Sequence, residues 1–364
     1  MAFYDNIIDA PPELIRRGIA DRQSLLRKET EDFLRELSLD YEPRRELHWK
    51  RDYSSIEAYE ASIAENREAW RRAVGVFDVP PSPLEARHEP FLDSDTVRAE
   101  WIILPISERL NARAVLAVPK AGDGPFPVVI CQHGIGSSPE RVFGFDDPSD
   151  IYHSYGLRLV EAGFAVLAPM NVTEGPPRAR YTRLCLMLGK SLWGLEIQKI
   201  SRLIDYLQTL DHLDTDRLGM YGISLGGAYT HFTMPLERRI KAGITCAWFN
   251  DRLKKMVIDD FRYSCFLSVQ EEHIFVPGWL TQFCDSDLTA LICPRPFMVQ
   301  TGKCDGIAWW PFVAEEVERA RVHYERLGIG DRLEFDLHEG GHEIRVEGAM
   351  PFLRKWLMDA RQTA

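Results

Sequence analysis

Ser224 stands in the run Leu218-Gly219-Met220-Tyr221-Gly222-Ile223-Ser224-Leu225-Gly226-Gly227. A short apolar segment leads there into Gly-x-Ser-x-Gly and then into small and apolar residues. This order predicts strand, sharp turn and helix, with the serine hydroxyl raised at the carboxyl end of the strand. A serine hydroxyl becomes a useful nucleophile only when a base takes its proton and an acid orients that base. His342, in Glu339-Gly340-Gly341-His342-Glu343, follows the strand-like run Leu333–Leu337, and a loop there can carry an imidazole over Ser224. His231 and His323 fall inside predicted helices, and His273 lies in an irregular stretch that could line a pocket. Asp305, in Thr301-Gly302-Lys303-Cys304-Asp305-Gly306, ends the preceding core strand and is the expected acid, with Asp251 in Phe249-Asn250-Asp251-Arg252 as its competitor.

Acyl chemistry at Ser224 also needs two backbone N–H groups facing the oxygen that gains charge. Leu225, directly after the serine, supplies one, and Ile135 in the loop His133-Gly134-Ile135-Gly136 supplies the other. His133 precedes the serine and reads as a structural hydrogen-bonding residue rather than a base. His133, Trp309, Trp310 and His273 form the candidate substrate-contact set, with Trp279 and Phe275 as further aromatics that could line a pocket or belong to the core. Arg178, Arg180 and Arg183 could meet a carboxylate, but a solvated loop is the simpler expectation. His338-Glu339-Gly340-Gly341-His342 matches H-E-x-x-H, whose zinc chemistry needs both histidines on one helix face. Two interior glycines and the preceding β-type run argue against that helix, so no metal site is expected.

The elements that must hold these residues alternate. Val97–Leu104 and Ala114–Val118 read as strands joined by a turn around Glu108–Asn111, and Phe126–Gln132 as a strand buried on both faces. A helix over Tyr152–Ala162, a strand over Gly163–Pro169, a polar Pro-rich loop over Met170–Tyr181 and one long helix over Thr182–Leu210 follow. Beyond Ser224 come strands at Ile240–Trp248, Pro296–Gly302 and Leu333–Leu337, with helices at Val313–Leu327 and Glu347–Leu357. Such alternation predicts an α/β protein with a mostly parallel, doubly wound sheet, helices on both faces, and function at the carboxyl ends of the strands. Ahead of it, Pro11–Val79 reads as helical, with Leu14, Ile15, Ile19, Leu25, Leu26, Phe33, Leu34 and Leu37 at helical spacing and a capping box at Ser54 and Glu57. Pro80-Pro81-Ser82-Pro83 closes this part as a stiff linker, giving a helical N-terminal extension over 1–83 and a catalytic domain over 84–364.

A chain of 364 residues with net charge -11 is poorly suited to nucleic acid or anionic membranes, and no apolar run is long enough to span a bilayer. Met1–Asp5 shows no basic region followed by an apolar stretch. The seven cysteines are scattered and lack C-x-x-C pairs, which reads as buried free thiols in a reducing, cytoplasmic compartment.

Gln132-His133-Gly134, Gly194-Leu195-Glu196-Ile197, Gly222-Ile223-Ser224-Leu225-Gly226-Gly227, Pro294-Arg295-Pro296, Gly302-Lys303-Cys304-Asp305 and Gly341-His342 together resemble the α/β-hydrolase superfamily. More narrowly, they resemble its dienelactone hydrolase-like and acetyl xylan esterase-like branch, over residues 95–360. The resemblance implies an α/β-hydrolase fold and hydrolysis of a small-molecule ester through an acyl-enzyme, with no cofactor. The expected substrate is an acylated small sugar or secondary metabolite. Two alternatives stay open: cleavage of a C–C bond or lactone by the same triad, and a non-catalytic binding protein on the same fold. The N-terminal helices could also carry a homo-oligomer contact.

Overall fold

The protein is described from a computed structural model covering residues 11–173, 175–263 and 272–359. Nine strands form one sheet in the order β1-β2-β3-β5-β4-β6-β7-β8-β9. They are β1 (Arg87–Asp93), β2 (Val97–Ser107), β3 (Leu110–Pro119), β4 (Phe126–Gln132), β5 (Ala165–Pro169), β6 (Leu213–Ile223), β7 (Ile240–Cys246), β8 (Phe297–Gly302) and β9 (Leu333–His338). Pairing is antiparallel from β1 through β3 to β5 and parallel from β5 across β4 to β9. The central strands β4 and β5 are almost wholly buried, which is why they read as unbroken apolar runs. Sequence periodicity missed β1. It is an exposed edge strand containing Pro90, and proline is tolerated only where no ladder N–H is required.

The helices are α1 (Pro12–Leu39), α2 (Tyr41–Glu46), α3 (Ile56–Ser62), α4 (Ala64–Ala73), α5 (Pro139–Val142), α6 (Tyr155–Glu161), α7 (Gly175–Met187), α8 (Leu192–Leu207), α9 (Leu225–Thr233), α10 (Arg252–Val257), α11 (Asp285–Ile292), α12 (Trp310–Arg326) and α13 (Val346–Leu357). The polar loop and single long helix expected over 170–210 are instead two helices, α7 and α8. Gly189, at φ +65°, ends α7 with its N–H on the Leu186 carbonyl (3.0 Å), while the Lys190 N–H reaches Cys185 (2.9 Å). That is the left-handed helix stop, and Ser191 then caps α8 by accepting the Gly194 N–H. The capping residue of α3 is Ser55, which accepts from Ala58, one position later than the Ser54–Glu57 box expected.

Two apolar clusters pack the two faces of the sheet. The larger takes in residues from the N-terminal helices: Trp49, Tyr59, Ile63, Trp70 and Val74 are buried among α8, α9 and α11. Trp70 is fully buried, its indole N–H donates to the Phe232 carbonyl in α9 (3.1 Å), and its ring meets Phe232, Trp279 and Phe283 at centroid distances of 5.1, 5.4 and 5.3 Å. By contrast α1 keeps Leu14, Ile19, Leu25, Leu26, Phe33, Leu34 and Leu37 exposed. It is tethered near its end by Arg35 to the Val257 carbonyl (2.6 Å) and to Asp259 (2.9 Å). The six described cysteines are free and all but Cys304 are buried; Cys265 lies outside the described residues.

Trp70→Ala removes the aromatic plug between the N-terminal helices and α9. We expect a loss of about 3–5 kcal/mol of stability, read from the denaturant midpoint, and a smaller change would mean that the extension is not anchored through this side chain.

Candidate active site

The expected strand–turn–helix at Ser224 is present. Ser224 has φ 59° and ψ -121°, a left-handed conformation that costs a non-glycine residue free energy and is held only by its surroundings. Those surroundings leave no room for side chains on either flank. A Cβ at 222 would come within 2.3 Å of the Gly226 carbonyl oxygen, and a Cβ at 226 within 2.1 Å of the Gln132 oxygen. Glycine at both positions therefore lets α9 close against the ends of β4 and β6. The Ser224 N–H donates to the Cys246 carbonyl at the end of β7 (2.9 Å). Leu225 opens α9, so its N–H belongs to the first turn, where backbone donors lack partners within the helix.

Asp305 lies in the loop after β8 with its carboxylate fully buried. Its two oxygens sit 3.1 and 3.0 Å from the His342 Nδ1, and Oδ1 also accepts the Ile307 N–H (2.9 Å). A carboxylate at Nδ1 makes that nitrogen the donor and leaves Nε2 as the basic atom. The loop that carries His342 packs against the end of β7. Cys246 is touched from both sides: its carbonyl takes the Ser224 N–H, and its thiol lies 3.2 Å from the Glu343 carbonyl oxygen. Asp251 is engaged elsewhere, capping α10 through the Lys254 N–H (3.1 Å). His338 ends β9 and a turn separates it from His342, so the two do not share a helix face.

No protein-family model matches the chain. It is 26% identical over 311 residues to "Putative hydrolase YtaP" of Bacillus subtilis (strain 168), covering 81% of this chain and 99% of that protein. Among solved structures, a protein of Bacteroides fragilis described as a "putative acetyl xylan esterase" superposes with TM-score 0.70 at 18% identity, covering 89% of this chain and 94% of the other. A glucuronoyl esterase from Solibacter usitatus superposes with TM-score 0.62 at 15% identity, covering 83% and 93%. The chain has the α/β-hydrolase fold.

Within this fold the remaining predicted residues divide. Gly134 lies against the serine, since a Cβ built on it would sit 3.3 Å from the Ser224 Cβ, and Ile135 beside it is 39% exposed. His133 is fully buried: its Nδ1 faces the Gly134 carbonyl (3.0 Å) and its Nε2 accepts the Asn171 N–H (3.3 Å). Burial lowers its pKa to about 4, so at neutral pH the ring is an uncharged strut between two loops. His273 is likewise buried, with a pKa lowered to about 3 by burial and then by Arg178, and its carbonyl accepts the Trp193 indole N–H. Trp309 and Trp310 are half-buried, with Arg262 stacked 3.7 Å above Trp309. Trp279 is a core residue, whereas Phe275 is exposed beside α1.

Three contributions were invisible in the sequence because they depend on contacts distant along the chain. The Tyr152 hydroxyl accepts the Gly134 N–H (2.9 Å), His153 donates from Nε2 to Glu343 (2.8 Å), and the Ile151 carbonyl accepts the Ile344 N–H (2.8 Å). One loop thus ties the Gly134 turn to the His342 turn. Its backbone is contorted to do so, with Asp146, Asp150, His153 and Ser154 all near φ +50°. The hydrogen bond from His153 is also the main reason the Glu343 carboxyl is held below its usual range. Arg178, expected on a solvated loop, is instead 1% exposed in α7, bonded to the Val172 carbonyl and to the Tyr229 hydroxyl (3.1 Å). Proline in the first turn of a helix is well tolerated, which is why Pro176-Pro177 starts α7 rather than forbidding it.

Tyr152→Phe leaves the buried Gly134 N–H without its acceptor. A loss of about 1–3 kcal/mol in thermal or chemical unfolding is the expected outcome; unchanged stability would show that the phenol does not hold this turn.

Proposed function

We propose that the protein is a serine carboxylic-ester hydrolase working through an acyl-enzyme on Ser224, with His342 as base and Asp305 as the acid that orients it. The observation that carries this reading is the His342–Asp305 pair, in which a buried carboxylate holds Nδ1, on the same sheet as a serine in a strained strand-to-helix turn. The likeness to solved esterases supports the same chemistry. In this scheme His342 Nε2 takes the proton of the Ser224 hydroxyl as its oxygen bonds to the ester carbonyl carbon. The Ile135 and Leu225 N–H groups face the oxygen that becomes negative. Collapse expels the alcohol, which leaves with the proton from His342. A water molecule then repeats the sequence on the acyl-serine, releasing the carboxylic acid and restoring the serine. Asp305 fixes the ring tautomer and offsets the imidazolium charge that forms in each half.

The substrate in this reading is a small acylated molecule, for which an acetylated sugar or secondary metabolite is the leading class. His133 and His273 support the loops around the site from within, and Trp309 and Trp310 are the aromatic surface offered to the substrate. In this reading the chain divides after residue 83 into a helical extension and a catalytic unit, with Trp70 linking the first to the helix that follows the nucleophile.

Steady-state hydrolysis of p-nitrophenyl esters of increasing acyl length tests the assignment. Ser224→Ala should lower kcat by roughly 10⁴-fold or more and Asp305→Asn by roughly 10³–10⁴-fold, both with native circular dichroism. Turnover by Ser224→Ala at the wild-type rate would contradict the mechanism.

A further inference from the structure

A second polar feature lies at the carboxyl edge of the sheet, beside the serine turn and unused by the chemistry above. A cleft of about 570 Å³ opens between the ends of β4 and β5 and the helices α7 and α8, and Arg113, Gly136, Ser138, Asn171, Tyr181 and Lys199 are among its lining residues. Its distance from the nucleophile is bounded by the backbone. Gly134 abuts Ser224, and Gly136 is two Cα steps further on, at most about 7.6 Å. A group attached to an ester held at Ser224 can therefore reach the cleft.

The lining has a definite electrostatic character. Arg113 is exposed, and among the described residues no carboxylate pairs with it. The Met170 N–H on the Arg113 carbonyl (2.8 Å) keeps this end of β3 beside the end of β5. Lys199 is mostly buried and pairs with Glu196 (3.1 Å), which is itself 1% exposed. The two cations and one carboxylate leave a single net positive charge at the cleft. Asn171 is 6% exposed, and its backbone N–H donates to His133, which fixes this wall of the cleft. A neutral hydroxyl in the cleft would leave the Arg113 charge unanswered.

We propose that this cleft is a subsite for an anionic group, carboxylate or phosphate, carried by the ester that Ser224 cleaves. Arg113 supplies the unpaired charge and Lys199 a second cation. The proposal rests on the reading of Ser224 as the nucleophile, and it narrows the substrate class from small esters in general to esters bearing an anionic group.

The test compares charged and neutral esters of matched size in wild type, Arg113→Gln and Arg113→Lys. One arm sets p-nitrophenyl hemiglutarate against p-nitrophenyl pentanoate, and the other sets acetylglycerol phosphate against glycerol monoacetate. We expect wild type to favour the charged member of at least one pair by about tenfold in kcat/KM, Arg113→Gln to lose that preference, and Arg113→Lys to recover part of it. The pair that responds tells carboxylate from phosphate. No preference in either pair, or a preference unmoved by Arg113→Gln, would overturn the proposal. Calorimetric binding of glutarate and of inorganic phosphate reads the cleft without turnover. Binding by wild type that Arg113→Gln abolishes would support the subsite even if Ser224→Ala still hydrolysed esters, an outcome that would sink the nucleophile assignment instead.

Discussion

The structure depends on the close approach of α9 to the ends of β4 and β6. A serine at φ 59° is not a conformation the residue chooses for itself. It is imposed because the chain leaves β6 and must enter a helix whose first turn touches the Gln132 backbone. The missing side chains of Gly222 and Gly226 allow this approach, and the hydrogen bond from the Ser224 N–H to Cys246 locks it from the side of β7. The hydroxyl is thereby lifted to the sheet edge beside the donors of the first helical turn. Sequence, local strain and chemistry meet in one turn of chain.

Everything else at the site is arranged around that turn by contacts between loops. Cys246 joins the serine to the segment that carries His342. The loop through Ile151, Tyr152 and His153 joins that segment to the Gly134 turn, storing its own unfavourable backbone geometry to do so. Below Ser224, Phe232 of α9 is gripped by Trp70, so the N-terminal helices brace the helix that follows the serine. His133 adds a neutral strut whose burial suits it to hydrogen bonding and not to proton transfer near neutral pH.

Much of this was readable from the chain, and the physical reasons are specific. Strands buried on both faces, such as β4 and β5, appear as continuous apolar runs, and the glycine spacing around Ser224 takes its meaning from the strand before it and the helix after it. Chain order alone brought Asp305 and His342 forward as a pair, and they lie 3.0 Å apart. What was not readable depends on partners far away in sequence. β1 is an exposed, proline-bearing edge that exists only because β2 pairs with it. Arg178 looked like loop decoration because nothing local reveals Tyr229 as its partner. The periodicity of α1 is that of an amphipathic helix, yet its apolar residues remain exposed, since periodicity marks a face and not what covers it.

The most direct measurement is to trap the intermediate itself. Wild-type protein mixed with p-nitrophenyl acetate, quenched in acid on the millisecond scale and digested for mass spectrometry, should carry one acetyl group on the peptide containing Ser224. The modification should map to that hydroxyl, and it should be absent from Ser224→Ala. Hydrolysis that proceeds with no acyl group ever found on Ser224, or an acetyl group that appears on another residue and survives the substitution, would contradict the account.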